Sequence, residues 1–176
     1  MNEYEPFEVF ETPITIAVIS DTHFTSIPRE LPVEVGDALR SADLILHAGD
    51  FCSVEAYEVI REFGELRGVS GNNDASELFR RLPMRRYFRF GNFTAGMIHG
   101  HNFDGLTALQ AVQRELAGAV DLAIFGHSHQ SYCQWLEKTL LFNPGSPTHR
   151  RWEPRSSYGV IRIDKQIDAE LHFLPG

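Results

Sequence analysis

Five times along this 176-residue chain, a short apolar run stops abruptly at a cluster of metal-type side chains. Residues 14–19 (ITIAVI) give way to Asp21 and His23, 43–46 (DLIL) to Asp50, and 66–69 to Asn72. Residues 93–98 end at His99 and His101, and 121–125 (DLAIF) at His127 and His129. Short β-branched and aliphatic runs suit strands covered on both faces. In layered α/β proteins ligands gather where the carboxyl ends of strands open into loops, so residues distant in sequence can meet at one sheet edge.

The intervening segments alternate with these runs. Residues 33–40 predict a short helix, 53–63 a second with Ser53 as its N-cap, and 106–116 a third. A strand, loop, helix rhythm of this kind implies an α/β layered domain. Gly91 and Asn92 predict a hairpin turn leading into 93–98. Beyond Phe125 the sequence turns β-rich: 132–136 and 139–142 flank Glu137 and Lys138 like a hairpin, and 158–163 and 169–173 alternate as strands. This shift predicts two packed sheets with helices outside, forming a single domain over residues 13–176. An acidic arm, residues 1–12, precedes it, with Glu3, Glu5, Glu8 and Glu11 set among Tyr4, Phe7, Val9 and Phe10.

Charge and cysteine usage narrow the functional classes. A formal net charge of −8 argues against a broad nucleic-acid-binding surface, since phosphate backbones are gripped mainly by Lys and Arg. Cys52 and Cys133 make no CxxC spacing, and both thiols are expected to be free. The amino terminus lacks a basic, apolar signal, and no run approaches the roughly 20 apolar residues of a membrane span. The expectation is a cytoplasmic protein with no membrane partner. Homo-oligomerisation stays open, because the apolar residues of the arm could dock on the same chain or on a second copy.

Each cluster alone has an ordinary reading. DxH, GD and GNND are common turn sequences, and histidine clusters also occur in structural zinc sites. Several such clusters, all at strand ends, are hard to explain as turns. Imidazole and carboxylate are good ligands for Zn²⁺, Mn²⁺ and iron, and one carboxylate can bridge two cations. The adjacent glycines Gly49, Gly71, Gly100 and Gly126 permit close approach of backbone to ligand. A closed structural zinc site is usually four-coordinate and thiolate-rich, whereas this set is larger and lacks cysteine.

Through DTH at Asp21, GD at Asp50, GNND at Asn72, HGH at His99, GHSH at His127 and NPGS at 143–146, the sequence resembles the calcineurin-like metallophosphoesterase family. It is similar to that family's small bacterial and archaeal phosphodiesterase branch. The resemblance implies a four-layer α/β/β/α sandwich with two mixed sheets and two divalent metals at one edge, Mn²⁺ first and Fe or Zn²⁺ as alternatives. It places Asp21, His23 and His129 on one metal, Asn72, His99 and His127 on the other, and Asp50 between them. It puts His101 near the ligands or the substrate. The expected reaction is hydrolysis of a small phosphate ester, a diester more than a monoester, by a hydroxide bridging the two metals.

Many relatives carry a histidine after the ligand asparagine, where this chain has Asn73. Asparagine donates a hydrogen bond but gives up no proton near neutral pH, so help to the leaving group must come from elsewhere, with His101 one source. Arg150 and Arg151 follow the NPGS segment and are candidate phosphate contacts. Arg80, Arg81, Arg85, Arg86 and Arg89 read instead as a solvated, partly ion-paired surface. The rival functional class is a binding scaffold on the same fold, which tends to lose ligands that this chain retains.

Overall fold

The computed structural model describes residues 7–24, 30–101 and 105–175. Its two sheets are built around strands whose side chains are divided between two cores. In β2 (Ile14–Ile19), Ile16 and Val18 face the space between the sheets, while Ala17 and Ile19 face outward into a second core. β3 (Leu44–His47) and β4 (Leu66–Gly68) continue this sheet in parallel with β2. β10 (Ser157–Ile163) and β11 (Ile167–Phe173) extend it on the other side, antiparallel. The order is β11-β10-β2-β3-β4.

The second sheet begins at an edge with β1 (Glu8–Phe10), which pairs in parallel with β5 (Arg85–Phe90). β5 and β6 (Phe93–Ile98) form the expected hairpin, Phe90 opposite Phe93, with Gly91 in the left-handed region at φ 55°. β7 (Leu122–Ile124) and β9 (Thr139–Pro144) continue in parallel, and β8 (Ser131–Leu136) closes the far edge antiparallel to β9. The order is β1-β5-β6-β7-β9-β8. Both sheets are therefore mixed. Their facing sides, including Val18, Leu46, Phe88, Met97, Ile124 and Phe142, form the central core.

Helices cover both outer faces. α1 (Val33–Ser41) and α2 (Val54–Arg61) place Val35, Leu39, Ala56 and Ile60 against Ala17, Ile19 and Ile45. The Ser53 hydroxyl caps α2 by accepting from the Ala56 N–H, as the sequence predicts. α4 (Ala108–Leu116), capped by a reciprocal Thr107–Gln110 pair, sets Val112 and Leu116 on Ala123 and Leu141 of the other sheet. A short α3 (Ser76–Arg81), which the sequence pattern does not predict and which ends in Arg80 and Arg81 of the arginine run, buries Leu78 beside Phe51 and Leu82. The result is the α/β/β/α sandwich. No helix among the described residues is long and apolar enough to cross a membrane.

The parallel strands β2, β3 and β4 of one sheet and β6, β7 and β9 of the other carry the motif loops at their carboxyl ends. Contacts between those loops join the sheets there. His127 N–H donates to Asp21 Oδ2 at 3.0 Å, and the Ser146 hydroxyl donates to the Asp21 carbonyl at 2.8 Å.

Candidate metal centre

The loop after β2 turns back at once, because Asp21 N–H donates to Gly49 O (2.9 Å) and His23 N–H to Asp50 O (3.1 Å). This stitches the Asp21–His23 turn to the turn after β3. Asp21, His23, Asp50, His127 and His129 all have left-handed backbone, with φ between 48° and 68°. Residues other than glycine rarely adopt this region, and they do so chiefly where surrounding contacts hold them at functional sites.

The side chains converge as the backbone dictates. His23 Nε2 lies 3.4 Å from Asp50 Oδ2, 4.0 Å from Asp21 Oδ1 and 3.2 Å from His129 Nε2. His129 Nε2 is 3.3 Å from Asp21 Oδ1. On the other side, His99 Nε2 is also 3.4 Å from Asp50 Oδ2, and the His127 ring stands 5.1 Å from that of His99. His101 lies against the same pair, its ring 5.2 Å from His99 and 6.3 Å from His127. One oxygen of Asp50 thus stands between two imidazole groups.

Each inward nitrogen is oriented by what the rest of its ring does. His99 Nδ1–H donates to Ala48 O at 2.7 Å, and His129 Nδ1–H donates to the His149 carbonyl, leaving Nε2 of both rings as the lone-pair nitrogen. His23 Nδ1 meets Cys52 Sγ at 3.3 Å. Gly49 is required here: a Cβ would lie 2.6 Å from His99 Nδ1.

Burial controls the protonation states. It pushes His23, His129 and His101 down to about 4, so these rings are neutral near pH 7. It likewise lowers His127. Burial raises Asp21 to about 6, against the pull of His99 and the Ser20 hydroxyl. Burial also works against charge on Asp50, but the neighbouring His99 and two hydrogen bonds from Asn73 outweigh it and hold Asp50 below the usual carboxylate range. His99 is the exception among the imidazoles: burial would lower it, yet Asp50 and Asp21 together raise it.

Several donors have nothing to bind within the chain. Asp21 Oδ1, His99 Nε2 and His127 Nδ1 are buried without a hydrogen-bond partner, as are both ring nitrogens of His101. Buried polar atoms are rarely left so unless a ligand or water satisfies them. Donors about 2.0–2.2 Å from a cation lie roughly 3–3.5 Å from one another, which matches most of the spacings around Asp21, His23, Asp50 and His129. The residues present fit divalent metals. Asp21, His23 and Asp50 form one group with mutually close donor atoms, and His23, His129 and His149 form another.

In the GNND turn it is Asn73 that meets Asp50. Asn73 N–H donates to Asp50 Oδ1 (2.8 Å) and its amide to Asp50 Oδ2 (2.7 Å), although Asn73, like Asn72, is exposed. The physical reason is the turn itself. Asp74 closes it by accepting from Gly71 N–H (2.7 Å) and Cys52 N–H (2.8 Å), which brings the third residue of GNND onto Asp50. Arg150 and Arg151 are both exposed. The Arg150 guanidinium is engaged with the Glu153 carbonyl, while the charge of Arg151 acts on His23, His127 and His129. The arginines near β5 are largely paired: Arg86 with Glu8, Arg85 with Glu115 and Arg81 with Glu77.

Three supporting residues escaped the sequence reading. Asp74 closes the turn just described, and the final Asp of GNND was its only signal. His47 is fully buried, accepts from Gly49 N–H (3.2 Å) at Nδ1 and therefore donates from Nε2 to Thr22 Oγ1 (3.1 Å), tying the two ligand loops together. His149 packs its ring tilted against that of His23 and edge-on to that of His129, and in the sequence it only precedes Arg150 and Arg151.

Comparison with known proteins agrees with this geometry. The profile of the calcineurin-like phosphoesterase superfamily domain matches residues 14–166. A probable metallophosphoesterase of Methanothermobacter thermautotrophicus is 38% identical over 157 residues, covering 89% of this chain and 90% of the relative. Among solved structures, Vps29 of Entamoeba histolytica complexed with Zn²⁺ superposes with a TM-score of 0.69 at 24% identity, covering 91% of this chain and 99% of that one. A protein described as a novel archaeal phosphodiesterase gives 0.70 at 17% identity, covering 92% and 100%. At these identities the two structures speak to the fold alone.

Proposed function

The chain belongs to the calcineurin-like phosphoesterase superfamily, and we propose that it hydrolyses a small phosphodiester with two divalent metals bound at the joined sheet edges. The observation that carries this reading is Asp50. Its Oδ2 lies 3.4 Å from His23 Nε2 on one side and 3.4 Å from His99 Nε2 on the other, the arrangement of a carboxylate shared by two cations.

In this reading Asp21, His23 and His129 hold one metal, and His99 and His127 the second together with Asn72, the position the family pattern supplies. Two such ions, with Mn²⁺ expected first, would acidify a coordinated water and neutralise charge on the phosphate oxygens. The chain's own residues do the rest. Asn73 fixes both oxygens of Asp50 through its N–H and amide. The neutral His23 and His129 offer lone pairs near pH 7 without first losing a proton. Arg151 adds positive potential at the mouth of the site for an anionic ester. His101, neutral and buried beside His99 and His127, is placed to donate a hydrogen bond to a phosphate or leaving oxygen. Asn73 cannot donate the proton that a poor alkoxide leaving group needs, so within this reading the favoured diesters are those with good leaving groups.

The test is hydrolysis of an activated aryl phosphodiester, a phosphomonoester and a cyclic nucleotide by one Mn²⁺-loaded preparation, before and after chelation. Metal-dependent turnover strongest on the diester is expected. A metal-replete protein inactive on the whole panel would sink the reading in favour of a binding scaffold.

A further inference from the structure

His149 lies outside the set that the motifs single out, and the fold goes to some length to fix it. Its N–H donates to Ser146 Oγ (2.8 Å), whose hydroxyl in turn donates to the Asp21 carbonyl (2.8 Å). The Thr148 hydroxyl donates to the Thr22 carbonyl (2.7 Å). The His149 carbonyl accepts from His129 Nδ1. Residues 146–149 are thereby strapped to the Asp21–His23 loop across more than 120 positions of sequence.

The strap sets a third imidazole beside two others. The His149 ring centroid is 5.0 Å from that of His23 and 5.3 Å from that of His129, and the His23 and His129 rings are themselves 5.0 Å apart. A nitrogen of each of the three rings lies within 4.8 Å of the other two. Two of these rings also face the Asp21 and Asp50 carboxylates. His149 is the exposed member, at the open side of the cluster.

We propose that His149 is an additional protein ligand of the metal on the Asp21, His23 and His129 side, giving that half of the centre three imidazoles. The inference rests on the two-metal reading above and adds a residue to it. Three imidazoles favour a borderline transition cation over Mg²⁺, which prefers oxygen donors and retained water. The backbone of residue 149 orients His129 whatever the side chain, so replacing the ring separates a ligand from a strap.

The experiment titrates chelator-treated full-length protein with Zn²⁺ and Mg²⁺ by calorimetry, comparing wild type with H149A and H149Q. H172A, which removes an imidazole from the edge strand β11, is the control. One of two Zn²⁺ sites should weaken about ten-fold or more in both His149 variants, with a smaller change for Mg²⁺ and none in H172A. In the Co²⁺-substituted protein, one hyperfine-shifted imidazole N–H resonance should disappear with His149. Unchanged Zn²⁺ affinity, retention of every shifted resonance, or a rise in KM for the ester without loss of metal affinity would each overturn the proposal. A wild-type protein that takes up no divalent metal overturns it together with the proposed function. A protein that loses metal on losing His149 yet hydrolyses no ester would leave this inference standing while the functional reading falls.

Discussion

Gly71→Ala tests whether the position of Asp50 is what the surrounding turn exists to secure. Gly71 does not use left-handed backbone, so alanine meets no conformational penalty there and the effect is one of space. A Cβ at residue 71 would lie 2.2 Å from Asp50 Oδ1 and 2.3 Å from Asp50 N. Reaching even a tight 3.0 Å contact requires a retreat of about 0.8 Å, and the backbone nitrogen cannot swing away as a side chain might. Asp50 would then leave its place between His23 and His99. Overpacking of this kind costs about 1–3 kcal/mol, or roughly 2–12 °C in Tm for a chain of this length. Misplacement near 1 Å at a reacting centre costs on the order of 100-fold in rate. The assay is kcat/KM on an activated aryl phosphodiester with Mn²⁺, alongside thermal melts and metal titration. Gly64→Ala is the control, since a Cβ there meets nothing closer than 3.4 Å. A folded G71A protein with metal affinity and kcat/KM within two-fold of wild type would refute the reasoning.

The metal-free protein should melt at progressively lower temperature as pH falls from about 6.5 to about 4. His23, His101 and His129 are depressed to about 4, so across that window the unfolded chain binds protons that the folded chain does not. Asp21, raised to about 6, and Asp74, also raised by burial, act in the opposite sense, but His47 and His127 are lowered as well, so two groups stand against five; a flat or rising Tm would contradict the assignment. Saturating Mn²⁺ at about 1,000 times its Kd should stabilise the fold by about 4 kcal/mol, roughly 8–16 °C in Tm, and chelation should reverse it; equal melts with and without metal would count against a site in the folded state. Asn73→His should raise turnover of esters with poor leaving groups relative to good ones, while weakening metal binding because the amide on Asp50 is lost. An unchanged ratio would show that residue 73 has no part in proton transfer.

The strands were legible because burial on two faces leaves an apolar run with abrupt ends, as in 14–19 and 43–46. The hairpin at Gly91 and Asn92 and the cap at Ser53 were legible because both are local chemistry. β1 and α3 were not. β1 is three residues long and owes its existence to a partner, β5, whose paired residues lie 80 positions away. α3 is six residues long with only Leu78 buried, too short to express a helical period. The same division runs through the site. Residue type at strand ends revealed Asp21, His23, Asp50, His99, His127 and His129, but the contact of Asn73 with Asp50 depends on how Asp74 closes a turn. His149 was hidden because its placement comes from hydroxyl contacts with a loop more than 120 residues earlier.

What the sequence carried least of all was the backbone conformation at the site. Five residues in the left-handed region, at about 1–3 kcal/mol each, represent a cost comparable with the whole stability of an ordinary domain. Glycine would relieve that cost at any of the five but would remove the ligand atom with it, so the positions must hold both a disfavoured conformation and a functional side chain. One contact that offsets it lies within the five, Asp21 Oδ2 receiving His127 N–H (3.0 Å), and the others come from outside: Gly49 O receives Asp21 N–H, and Ser146 and Thr148 hold the carbonyls of Asp21 and Thr22. Those partners belong to both sheets. The sandwich therefore does more than present ligands along an edge, because only the joined sheets can hold the Asp21–His23 and His127–His129 turns in place. The motif glycines follow from the same constraint. Gly71 and Gly126 sit where a Cβ would strike Asp50 Oδ1 at 2.2 Å or Ser20 Oγ at 2.0 Å, so they keep clear the space into which the strained turns direct their ligands.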